Sequence, residues 1–365
     1  MSTLRSLVSL AVMVALLGVA PLTAFSAAAQ GATQATPEAS PVAVAAATPG
    51  NYDKTNWPSE LNCGLFGGDD AEAALEGGKP LAEYLASWLG IPVEYTVGTS
   101  YNAVIESMRA GHTNCGTVGP FSYLLAVQEA GAQALAVEAY PGGDAENAVY
   151  DPAVMPNYFS VISVKKGNGI ASIEDLKGKS FAFVDPASTS GYLIPSSELL
   201  NAGIDPNTDM ETIFAGSHPT SALALWNGKV DAAASTESTL YNLAKEGQID
   251  FCGFKDGKQG IQRTAEEIQA NFDACPDGSI VPLVYSSPIP NTPFAVKGDL
   301  PESLKQAITD ALLNIKNDPE LIRQLGYWYI DPRENDPSLA SVDAFYDPLR
   351  EIAKQLGLDL KKFGQ

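Results

Sequence analysis

The sequence predicts an α/β protein of two lobes joined by two crossing strands, and three observations carry that prediction. At 365 residues the chain is long for one small domain and comfortable for two, at roughly 150 residues per domain. From Leu61 onward, short apolar strands alternate with amphipathic helices, the rhythm of parallel sheets covered by helices on both faces. A fresh block of the same kind starts near Phe159, and Phe294-Ala295-Val296 reads as a strand crossing back late in the chain. Apolar residues make up 45% and charged residues 18%, which excludes wholesale disorder.

The first thirty residues stand outside that pattern. Arg5 supplies a short basic stretch, Leu7 to Ala20 is uninterruptedly apolar, and Pro21 breaks it before the small residues Ser26-Ala27-Ala28-Ala29. This is the layout of a secretory signal peptide over residues 1–29. An uncleaved membrane anchor is the alternative, because the apolar run reaches Phe25 if Pro21 is tolerated. Residues 30–56 begin with an Ala/Thr/Pro-rich stretch lacking the large side chains that offset chain entropy, and are expected to form a disordered tether.

The elements then follow in order. Asn62 to Phe66 is a strand, and Gly67-Gly68-Asp69-Asp70 opens a helix with good capping chemistry. Pro80 to Leu89 reads as a second helix, Val93 to Val97 as a strand, Tyr101 to Ala110 as a helix and Asn114 to Val118 as a strand. Phe159 to Val164 carries the chain into the second block, where Ser180 to Val184, Glu211 to Phe214 and Val230 to Ala234 are strands. Helices are expected at Pro195 to Leu200 and Thr220 to Trp226. Val281 to Tyr285 and Phe294 to Val296 are the last strands, and helices near Glu302 to Asn317 and Pro319 to Gly326 close the fold. Residues 57–158 and 288–365 therefore form lobe 1, and residues 159–287 form lobe 2.

Charge and cysteine content narrow the function. There are 43 acidic and 22 basic side chains, a net charge of −21. Such a surface repels nucleic-acid phosphates and anionic lipid headgroups. With only His112 and His218, a multi-histidine metal site is excluded, and no cofactor or metal is expected. Four cysteines in an exported chain, none of them in a C-x-x-C pair, favour disulfides over zinc or redox chemistry. Of the three connectivities, Cys63–Cys115 with Cys252–Cys275 keeps each bridge inside one lobe.

The most informative run is Asp185-Pro-Ala-Ser188-Thr189-Ser190-Gly191-Tyr192, between an apolar strand and a helical segment. Three hydroxyls and a glycine supply O–H and N–H donors without formal charge, suited to a tetrahedral oxyanion. An ordinary Ser/Thr helix cap reads equally well from this run alone. Three further strand-to-helix junctions, at Tyr95 to Met108, Gly116 to Tyr123 and Gly216 to Leu223, can face the same cleft.

Taken together, these segments resemble the phosphonate/phosphite substrate-binding component of an ABC importer. The likeness covers most of residues 61–330. It rests on the Tyr-x-x-Val-Ile helix at Tyr101, the Gly-Pro-x-Ser-Tyr turn at Gly119, and the strand entering Asp185-Pro-x-Ser-Thr-Ser-Gly. Gly216-Ser-His218, the Asn227-Gly-x-Val-Asp-Ala-Ala run and the Ser287-Pro-Ile-Pro turn complete it. The resemblance implies a type II periplasmic-binding-protein clamshell, acting as a monomer outside the cytoplasm and delivering a phosphorus oxyanion to a membrane permease. It implies that Ser188, Thr189 and Ser190 bind the oxyanion, with Tyr123 and Tyr101 reaching from the opposite lobe. His218 would add a donor, or else serve as a capping or core residue. Glu237 would sit near the ligand's organic end, or else be a solvated surface carboxylate.

One departure narrows the ligand. Relatives that bind aminoalkyl phosphonates carry an acid in the turn before the returning strand, where this chain has Ile289-Pro-Asn-Thr292-Pro293. Without that acid the expected ligand lacks an amine: phosphite, hypophosphite, methylphosphonate or phosphate. Two rival readings remain. One is a clamshell receptor for another oxyanion such as a sulfonate. The other is a serine hydrolase with His218 as base, against which stands the lack of a G-x-S-x-G elbow.

Overall fold

The computed structural model describes residues 49–68, 70–141 and 147–360. The expected signal peptide and residues 30–48 of the expected tether lie outside them. The tail of that tether is tied to the fold: the Tyr52 hydroxyl donates to Asp310 at 2.8 Å and Lys54 Nζ to the Leu89 carbonyl at 2.8 Å.

The first block runs β1 (Leu61–Phe66), α1 (Ala71–Leu89), β2 (Val93–Gly98), α2 (Tyr101–Arg109), β3 (Cys115–Thr117), α3 (Pro120–Ala130) and β4 (Ala132–Ala139). A two-residue strand, β5 (Asn157–Tyr158), leads into the second block. That block comprises β6 (Ser160–Lys165), β7 (Ser180–Phe183), α4 (Ile194–Asn201), β8 (Glu211–Phe214), α5 (His218–Trp226), β9 (Ala232–Thr236), α6 (Glu237–Lys245), α7 (Ala265–Ala274) and β10 (Ile280–Tyr285). The chain returns through β11 (Ile289–Pro290) to β12 (Pro293–Lys297), α8 (Glu302–Asn314), α9 (Pro319–Leu325), β13 (Trp328–Ile330) and α10 (Asp347–Gln355).

These strands build two sheets. One has six strands in the order β13-β4-β12-β3-β1-β2, the other five in the order β10-β6-β9-β7-β8. Between them, β5 and β11 pair antiparallel, Tyr158 opposite Ile289, so both crossing segments pass side by side. The expected α/β architecture of two lobes is therefore the one observed. Both expected disulfides are present: Cys63–Cys115 joins directly paired residues of β1 and β3, and Cys252–Cys275 closes a loop ahead of β10.

Two local departures have clear causes. The two helices expected on either side of Pro80 are one, α1, capped by Asp70, which accepts from the Ala73 N–H, and ended by Gly90 at φ 68°. Proline inside a helix costs about 3 kcal/mol or more. The buried stripe Leu81, Leu85 and Leu89 outweighs that, at about 1.5–3 kcal/mol for each large side chain. The unexpected strand is β4, Ala-Gln-Ala-Leu-Ala-Val-Glu-Ala. Its composition favours a helix, but it lies buried between β12 and β13, where sheet packing decides.

Strand direction positions the site. In the first sheet β1, β2 and β3 are parallel, and β4 runs with them because β12 is antiparallel to both β3 and β4. In the second, β7 is parallel to β8 and β9. Each sheet therefore gathers the carboxyl ends of several strands on one edge, the usual place for ligands in open α/β sheets.

Candidate functional site

The hydroxyl turn is built at the end of β7. The Asp185 carboxylate accepts from the Ala187 N–H at 2.8 Å, and its carbonyl accepts from the Ser188 N–H at 2.9 Å, folding the chain back on itself. Thr189–Leu193 then forms a π-helical turn opening α4, with Ser188 as its cap accepting from the Gly191 N–H at 3.1 Å. Gly191 is required by close approach: a Cβ there would lie 2.3 Å from Val184. Ser160 of β6 braces the turn from below, donating to the Ser190 carbonyl at 2.6 Å. Ser188, Thr189 and Ser190 are all buried.

The first sheet meets this turn directly. The N-terminus of α3 caps it: the Phe121 N–H donates to Thr189 Oγ1 at 2.8 Å, and the Ser122 hydroxyl donates to the Ala187 carbonyl at 2.8 Å. Tyr101, first residue of α2, brings its hydroxyl to the Ser188 side chain; burial raises its pKa, and the Ser188 hydrogen bond partly offsets that. Tyr158 of β5 brings its hydroxyl to Ser190 and Thr189, and burial pushes its pKa up to about 12. Both phenols therefore stay protonated donors at neutral pH. By sequence, the first stretch of lobe 1 ends at residue 158, and the Tyr158 hydroxyl is given no part in the site. The signal was its position, two residues before a strand that enters the second sheet.

His218 opens α5 at the neighbouring edge position. The Gly216 N–H donates to the Val184 carbonyl at 2.8 Å, holding the His218 loop beside the start of the hydroxyl turn. The His218 Nδ1 is buried and has no partner among the described residues, and burial depresses the imidazole pKa to about 4, so the ring is neutral near pH 7.

Glu237 follows β9 at the same edge and is buried, not solvated. Its carboxylate accepts from the Tyr285 hydroxyl at 3.1 Å and from the Gly260 N–H at 2.9 Å; burial raises its pKa, partly offset by these bonds and by Arg263.

Tyr123 is not brought to the turn. Its hydroxyl donates to Asp343 at 2.6 Å and accepts from the Ala134 N–H at 3.2 Å, and its ring packs 5.0 Å from Tyr346. One helical step decides this: Phe121 and Ser122 touch the hydroxyl turn, whereas Tyr123 turns into the core. Main-chain and Ser122 donors of α3 stand where a tyrosine hydroxyl was expected.

Around the hydroxyl turn the edge thus presents phenol, hydroxyl, imidazole and main-chain groups, and the Arg263 guanidinium stands behind Glu237. Among the described residues no group of three or more His, Cys, Asp or Glu side chains is placed to hold a metal. No described helix is long and apolar enough to cross a membrane.

Residues 68–336 match the family model described as ABC transporter, phosphonate, periplasmic substrate-binding protein. The chain belongs to that family. A phosphate-import protein of Mycolicibacterium smegmatis is 32% identical over 169 residues, 44% of this chain and 50% of that protein, so the match spans half the relative's length. The phosphonates-binding periplasmic protein of Escherichia coli is 25% identical over 301 residues, 80% of this chain and 75% of that one. Among solved structures, PhnD1 from Prochlorococcus marinus in complex with methylphosphonate superposes with a TM-score of 0.60 at 17% identity, covering 82% of this chain and 99% of that one. That likeness shows the fold, the type II clamshell expected from the phosphonate-binding family.

Proposed function

We propose that this phosphonate-family protein captures a small phosphorus oxyanion between its two lobes and delivers it to the permease of an ABC importer. Tyr101, Tyr158, Ser188, Thr189, Ser190 and His218 are the proposed donors, set against the N-terminal end of α3. The observation that carries the reading is the Phe121 N–H to Thr189 bond. It sets the hydroxyl turn of one sheet on the helix N-terminus of the other, where the helix dipole favours an anion.

Lobe 1 (57–158 and 288–365) and lobe 2 (159–287) swing about β5 and β11 in this proposal. A ligand that bonds donors from both lobes biases the closed form, which the permease reads. An N-terminal signal peptide (1–29) exports the chain, and the protein works as a monomer. Phosphite, methylphosphonate and phosphate all fit the donor set, and the Mycolicibacterium relative's name points to phosphate. The hydrolase reading finds no support at His218, because the Nδ1 that a triad's acid would hold has no partner among the described residues.

Calorimetric titration of the purified chain with phosphite, methylphosphonate, phosphate and an alkanesulfonate tests this. Saturable binding of at least one phosphorus oxyanion, tighter than the sulfonate and without turnover, is expected. Preference for the sulfonate, or no binding of any phosphorus oxyanion, overturns it.

A further inference from the structure

The burial of Glu237 differs in kind from that of the hydroxyl turn. Ser188 to Ser190 are covered from the opposite sheet by α3, so lobe opening exposes them. Glu237 is covered from within its own lobe, by Gly260 and by Tyr285 of β10. It nevertheless belongs to the ligand edge. Thr236, the residue before it, pairs with Ser160, whose hydroxyl braces Ser190.

The cover is a fixed piece of chain. Cys252–Cys275 closes the loop, and inside it Arg263 is 7% exposed, its guanidinium stacked 4.0 Å from the Phe254 ring centre. That guanidinium donates to both Asp256 oxygens at 2.9 Å and to the Lys258 carbonyl at 2.6 Å, folding residues 256–263 over Glu237. Its charge also acts on Glu237, alongside Asp256, Tyr241 and Tyr285. A ligand ammonium approaching Glu237 meets a covered carboxylate already facing a buried cation, and would lose its hydration without gaining a partner.

We propose that the Cys252–Cys275 loop, with Arg263 as its positioning residue, sets the ligand class by withdrawing Glu237, so that the site takes compact phosphorus oxyanions and rejects those bearing an ammonium tail. This rests on the proposed function and deepens it.

The test measures the ratio of the dissociation constants for 2-aminoethylphosphonate and methylphosphonate. The wild-type ratio is at least about tenfold in favour of methylphosphonate, one ion pair's worth of discrimination. Arg263→Gln lowers it toward unity while methylphosphonate affinity stays within about twofold. The double variant Arg263→Gln/Glu237→Gln regains discrimination, which a merely structural role for Arg263 would not produce. Cys252→Ser with Cys275→Ser, which frees the loop ends, shifts the ratio in the same direction as Arg263→Gln. Equal wild-type affinity for both ligands overturns the proposal, as does an unchanged ratio in folded variants. Failure of the wild type to bind either ligand overturns the proposed function itself and is a distinct result.

Discussion

Replacing Glu138 by glutamine should change how stability depends on pH. Glu138 is the penultimate residue of β4, is 5% exposed, and accepts from the Tyr329 hydroxyl at 3.1 Å and the Tyr140 hydroxyl at 2.5 Å. Burial pushes its carboxyl pKa up from 4.5 to about 7 despite those two bonds. The folded state therefore holds the proton more tightly than the unfolded chain, and this group's contribution is full below pH 4.5 and lost as pH rises toward 7. At about 1.4 kcal/mol per pH unit the complete loss is about 3 kcal/mol, of which about 2.5 kcal/mol falls between pH 5 and pH 8. Denaturant unfolding of wild type and Glu138→Gln across that range checks this. The amide cannot ionise, so the variant should gain on the wild type by about 2 kcal/mol or more between pH 5 and pH 8. A stability difference that stays constant with pH would refute the reasoning.

Four further outcomes follow from the same geometry. Thr189→Val removes a hydroxyl at the centre of the proposed site and should weaken oxyanion binding by about 10- to 100-fold, read by calorimetry. Tyr123→Phe removes bonds to Asp343 and Ala134 and should lower stability by about 1–3 kcal/mol while leaving the affinity unchanged. His218 acts in the opposite sense to Glu138. Its pKa is depressed from 6.5 to about 4, so its contribution is full above 6.5 and lost as pH falls toward 4; His218→Asn should flatten the acid limb of the stability profile. Association of the anion should quicken slightly as salt is raised, because the chain carries −21 and salt screens that repulsion; stopped-flow rates that fall steeply with salt would mean a cationic entrance.

The fold was legible because its signals are local. Alternating apolar strands and capped helices around Gly98-Thr99-Ser100 and Gly216-Ser217 mark the strand-to-helix junctions, and those junctions fix which edge carries the site. What escaped depends on packing. The strand β4 is alanine-rich and becomes a strand only between β12 and β13. Tyr123 sits one residue beyond the contacts made by α3, a rotation of about 100° that helical geometry sets but a motif does not report. Tyr158 escaped because its hydroxyl reaches Ser190 through the β5–β11 crossing, whose path no short-range pattern encodes. The covering of Glu237 depends on a loop that reads as polar coil until Arg263 is seen stacked on Phe254.

The chain's strong negative charge and its proposed anionic ligand are compatible because the two act over different distances. Exposed carboxylates are screened within about 8–10 Å at physiological salt, whereas a hydrogen bond to a charged oxygen acts at about 3 Å. Six side-chain donors at about 1.5–3 kcal/mol each supply about 9–18 kcal/mol before association costs of about 4–15 kcal/mol. An arginine is therefore not needed for useful affinity. The donors are divided between lobes, Tyr101 and Tyr158 on one side and Ser188, Thr189, Ser190 and His218 on the other. In the proposed function an open form thus offers only part of the set, and the full affinity belongs to the closed one. Neutral donors with neighbouring acceptors also discriminate by protonation: a P–OH must find an acceptor such as the buried Asp185 carboxylate, while a P–H or P–CH₃ requires none. Selectivity in such a site comes from counting hydrogen bonds after closure, which in the proposed function is the state the permease reads.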